Sequence, residues 1–126
     1  MNESGFTFVE LLTDTVFIAV LSGLAVTHYI EYKTEGYNTA ANADFRNAMT
    51  ALEVYDQDNE EYPTCSAVTC PSTLPGFSSS NGVQVTFVGD EENVTGVACH
   101  EKGNTRYIFT GMPGLIVSMR TGPCGV

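Results

Sequence analysis

Proline is missing from the first 62 residues: the chain has five, and the first is Pro63. Proline breaks helix interiors, so this absence permits one very long helix in the first half. Basic side chains are scarce, 5 against 15 acidic ones for a net charge of −10, and none precedes Lys33. That balance excludes a broad phosphate-binding surface, and no nucleic-acid partner is expected. Cysteine is absent until Cys65; the others are Cys70, Cys99 and Cys124. Four residues separate the first two and no histidine stands near them, a poor match to zinc or C-x-x-C redox spacing. An even count in a small loop-rich domain fits a disulfide framework formed in an oxidising compartment. Three pairings are possible. Cys65–Cys70 with Cys99–Cys124 is favoured, one closing a tight loop and the other clamping the C-terminal segment.

What is present divides the chain in two. A helix from Phe6 to about Asn59 would extend on the order of 80 Å at about 1.5 Å per residue, too long for one small globular domain, so part of it is expected to project. The stretch VFIAVLSGLAV (residues 16–26) is apolar all round, which implies burial in a membrane or inside an assembly. As a membrane span it is interrupted by Asp14. An ordinary cleaved secretory signal fits worse, since MNESG lacks a positive region and no A-x-A site follows the apolar run.

From Tyr37 to Asp58 the pattern narrows to one face. Ala41, Phe45, Ala48, Met49, Leu52 and Tyr55 recur at steps of three and four, with Asp44, Arg46, Asn47, Glu53 and Asp56 elsewhere on the wheel. The expected partner is a sheet. Val83, Val85 and Phe87 alternate with polar residues, and residues 94–100, 105–110 and 115–119 supply three more β-prone runs between turn-rich segments. Residues 62–82 read as a long surface loop. The fold class is therefore α+β: a long N-terminal helix packed on a four-stranded antiparallel β-meander.

One residue resists this reading. Glu10 sits at the mouth of an apolar helix with no basic side chain to pair with, and a buried unpaired carboxylate is costly. Its surroundings, GFTFVELL (residues 5–12), resemble the signature of the type IV pilin and pilin-like family. The similarity continues through Tyr55, Asp58, Asn59, Tyr62 and Pro63, covering roughly the first half of the chain.

The resemblance implies that a prepilin peptidase cuts between Gly5 and Phe6 and that the new N-terminal phenylalanine is methylated. It divides the chain into a leader (1–5), an apolar protruding or transmembrane helix (6–36) and a globular headgroup (37–126). It implies that Glu10 neutralises the N-terminal ammonium of Phe6 on a neighbouring subunit, a matched pair that forms only in register. The implied partners are further copies of the chain in a helical filament, the peptidase and assembly machinery, and the inner membrane before assembly. The implied destination is a surface filament, a type IV pilus. Three positions depart from the family pattern: the leader is acidic, Asp14 adds a second carboxylate, and Thr27 occupies the usual mid-helix proline position.

Enzymatic readings find no support, because His28 and His100 come with no nucleophile or ligand set. No cofactor, metal or catalytic residue is expected. DQDNEE (56–61) and GDEEN (89–93) read as solvated acidic turns rather than calcium loops. Asn93-Val94-Thr95 forms a glycosylation sequon. Beside the pilus subunit stand two alternatives: a pseudopilin of a type II secretion system, and a membrane-tethered binding module that never polymerises.

Overall fold

The computed structural model describes residues 5–89, 93–111, 117–119 and 124. Helix α1 runs Phe8–Asn59, a short helix α2 runs Cys70–Thr73, and four strands follow: β1 Val83–Gly89, β2 Val94–His100, β3 Arg106–Thr110 and β4 Val117–Met119. The strands pair in chain order, every neighbour antiparallel, so the expected four-stranded meander forms. Residues 1–4 of the expected leader, residues 90–92 of the expected acidic turn and the start of the last expected strand lie outside the described residues. The chain divides into two compact units, Met1–Lys33 and Thr34–Val126.

The second unit contains the hydrophobic core. Ala41, Phe45, Ala48 and Leu52 of α1 are fully buried, and Met49 and Tyr55 pack against them at the margin, so the helical stripe forms as its spacing requires. From the sheet, Val83, Val85 and Phe87 of β1 point inward, as do Val94 and Ala98 of β2 and Phe109 of β3. Phe45 stacks on Phe87 with ring centroids 5.9 Å apart. Gly96 makes that stack possible. It lies between Phe87 and Phe109 in the register, and a Cβ there would fall 2.5 Å from the Phe87 ring and 3.0 Å from that of Phe45.

Two expectations need correction. The segment 62–82 is not simply a surface loop: it carries α2 and buries Cys65, Cys70, Leu74 and Phe77 in the core. Proline at the start of α2, where the missing N–H costs nothing, lets CPST form a turn of helix. Asp44 lies off the apolar stripe but is buried all the same. Its carboxylate accepts the Ser80 backbone N–H at 2.6 Å and the Ser80 hydroxyl at 3.1 Å, which ties the approach to β1 onto α1.

The edge of β1 is partly covered by the chain itself. Cys65 and Phe87 exchange backbone hydrogen bonds of 2.8 and 3.0 Å, and the Thr64 hydroxyl bonds both the N–H and the C=O of Gly89. Covering an edge in this way blocks pairing with foreign strands. The Cys65–Cys70 disulfide closes the loop that does it, and Cys99 of β2 is bonded to Cys124.

Candidate functional site

The site is the first turns of α1. The sequence puts the helix start at Phe6, whereas the helix begins at Phe8, with the Thr7 side chain in N-cap position. The Thr7 hydroxyl oxygen accepts the Glu10 backbone N–H at 3.2 Å, and the Thr7 carbonyl accepts the Leu11 N–H at 3.2 Å. The same hydroxyl donates to the Glu10 carboxylate at 3.4 Å. Thr7-x-x-Glu10 is a variant of the capping box, in which threonine and glutamate three residues apart satisfy the free N–H groups at a helix start. The Glu10 side chain is thereby held back toward the N-terminus, where the helix dipole favours a negative charge.

Thr7 is the functional residue that sequence reasoning missed. Its signal was local and readable, a threonine three residues before the glutamate.

Every described residue from Gly5 to Lys33 is exposed. Phe6 is 76 % exposed and Phe17 68 %, values far from those of any folded apolar core. The helix is long and apolar enough to cross a membrane. Leaving so many large apolar side chains in water is unfavourable by about 25 cal/mol per Å², so this surface requires a covering.

Four of its hydroxyls are turned back onto the helix. Thr13, Thr15, Ser22 and Thr27 donate their hydroxyls to carbonyls three or four residues earlier, at 2.7–3.4 Å. Such bonds hide hydroxyls from an apolar environment. Thr27, at the usual proline position, thus leaves the helix unbroken. Glu10 and Asp14 share one face, four residues apart, and no Lys or Arg stands before Lys33.

The two histidines lie in different surroundings. His28 is exposed and lies 3.9 Å from Glu31. His100 is buried, stacks on Tyr37 at 4.4 Å and accepts the Lys102 backbone N–H on Nδ1. Among the described residues no group of three His, Cys, Asp or Glu side chains is placed to hold a metal ion.

No protein-family model matches the chain. Individual relatives do match. The type II secretion system core protein G of Pseudomonas aeruginosa is 31 % identical over 63 residues, 50 % of this chain and 44 % of the relative. The protein of the same name from Escherichia coli is 32 % identical over 84 residues, 63 % and 57 % of the two chains. That from Aeromonas hydrophila is 32 % identical over 63 residues. Over about half its length, then, the chain is similar in sequence to these secretion-system proteins. The chain spans about half the length of the curated relatives it matches. Its helix-on-meander architecture and the GFTFVELL start agree with the resemblance stated above.

Proposed function

We propose that this chain is a structural subunit that polymerises through Phe6–Ile30 into a pilin-like filament. The observation that carries the reading is the uniformly exposed apolar first part of α1, with a capped carboxylate, Glu10, at its mouth and no Lys or Arg before Lys33. A second copy supplies both things that are missing. Its helix covers apolar surface, and its N-terminal amine neutralises Glu10. That amine would be Phe6's, freed by cleavage after Gly5. Before assembly the same apolar segment is held in the inner membrane.

Between the two filament readings, the relatives support a pseudopilin of a type II secretion system over a long surface pilus, since those named are secretion-system core proteins. A structural subunit needs no catalytic residue, and the charge-free, apolar run of residues 16–26 is suited to packing. The disulfide-closed headgroup fits exposure to an oxidising space.

The test is electron microscopy of cells overproducing the full chain together with its peptidase and assembly machinery, combined with the intact mass of the assembled subunit. Filaments whose subunits begin at a methylated Phe6 are expected. A chain that stays monomeric in the membrane under these conditions would instead be a tethered module.

A further inference from the structure

We infer that Asn93 is the acceptor of an N-linked glycan. The sequence Asn93-Val94-Thr95 has the acceptor form, an asparagine and a hydroxyl residue separated by one residue other than proline. Such triplets also occur by chance, and the fold supplies what the triplet alone does not. Residues 93–95 alternate exposed, buried, exposed as the chain enters β2. Period-two geometry therefore puts Asn93 and Thr95 together on the outer face while Val94 points into the core. Both residues are exposed, so an adduct on Asn93 grows into solvent.

The neighbourhood offers a second observation. In the register Thr95 lies opposite Val88 on one side and Thr110 on the other. Thr110 is exposed, and Val88, next to the last residue of the edge strand β1, is 65 % exposed. A sugar attached at Asn93 would lie along this row and present its apolar C–H face to Val88. The disulfides supply a third: they place the headgroup in the oxidising space in which such transfer takes place.

The donor is an oligosaccharide carried on a lipid diphosphate. The Asn93 side-chain nitrogen forms a bond to the anomeric carbon of the first sugar. The bond from that carbon to the diphosphate oxygen breaks, the lipid diphosphate leaves with the electron pair, and a base takes one amide proton. The Thr95 hydroxyl serves in recognition by the transferase.

The experiment is glycopeptide mapping of the full chain isolated from the cells that make it, in parallel with Asn93→Gln, Thr95→Val and Thr95→Ser. The expected result is a sugar-sized mass increment on the peptide containing Asn93, lost in the first two variants and retained in Thr95→Ser. Since residues 93 and 95 are exposed, circular dichroism of each variant should match the parent, which separates loss of glycan from loss of fold. An unmodified Asn93 in the native protein overturns the inference. So does a glycan that persists in Asn93→Gln, which would place the sugar elsewhere.

Discussion

Asn38 of α1 clasps Asn104, 66 residues later, with both ends of its amide: Nδ2 donates to the Asn104 side-chain oxygen at 2.8 Å, and Oδ1 accepts the Asn104 backbone N–H at 3.0 Å. The same oxygen takes the Thr105 N–H at 3.2 Å. Gly103 beside them has to be glycine, because a Cβ there would stand 2.6 Å from Asn38 Oδ1. Asn38 therefore fixes the β2–β3 turn to the helix. Asn38→Ala leaves two backbone N–H groups without their acceptor and should destabilise the fold by about 1–3 kcal/mol. Urea denaturation of the full chain in detergent measures it, with the midpoint lowered and the slope unchanged. A change under about 0.5 kcal/mol would mean that water replaces the amide without loss.

The two disulfides should differ in worth. Their sequence separations are 5 and 25 residues, and loop-closure entropy assigns about 2 kcal/mol to the shorter and about 3.5 kcal/mol to the longer. Paired Cys→Ser variants, compared by denaturation, should show the Cys99–Cys124 variant less stable. The reverse ranking would show that guarding the β1 edge, the task of the Cys65 loop, outweighs chain entropy.

Alkali should weaken the headgroup. Burial raises the hydroxyl of Tyr62 above the ordinary tyrosine range, and the carboxylates of Asp56 and then Glu53 add to it. Burial and, secondarily, Glu35 raise that of Tyr107. Both protons are held more tightly folded than unfolded. The contribution is therefore complete below about pH 10, the unfolded value, and is lost as pH rises through the folded one. Stability measured between about pH 8 and pH 11 should fall, and less steeply in Tyr62→Phe and Tyr107→Phe.

At the N-terminus, capping and charge pairing can be separated by one substitution. Glu10→Gln keeps a side chain that serves in a capping box but removes the charge. Glutamine should therefore preserve helix content and abolish filaments, whereas Thr7→Val should fray the first turn and leave assembly reduced but present. If Glu10→Gln assembles normally, Glu10 acts through the cap alone. Asp14→Val should assemble at least as well as the parent, because one amine neutralises one carboxylate and the second has no cation.

Much of this was written in the sequence. The helical stripe through Ala41, Phe45, Ala48 and Leu52 and the alternation of Val83, Val85 and Phe87 depend on the chain's own periodicity, which any contiguous segment displays. The apolar run, the lone Glu10 and the absent cations were equally plain, since each is a statement about residue types at known spacing. What only the tertiary structure decided involves residues far apart in the chain. Asp44 and Asn38 are polar and look like solvent-facing positions, yet both are buried because Ser80 and Asn104, 36 and 66 residues away, satisfy them. The helix in CPST and the burial of Leu74 and Phe77 likewise depend on a core assembled from other segments. Local pattern specifies which face an element buries; only the folded chain specifies which polar groups find partners there.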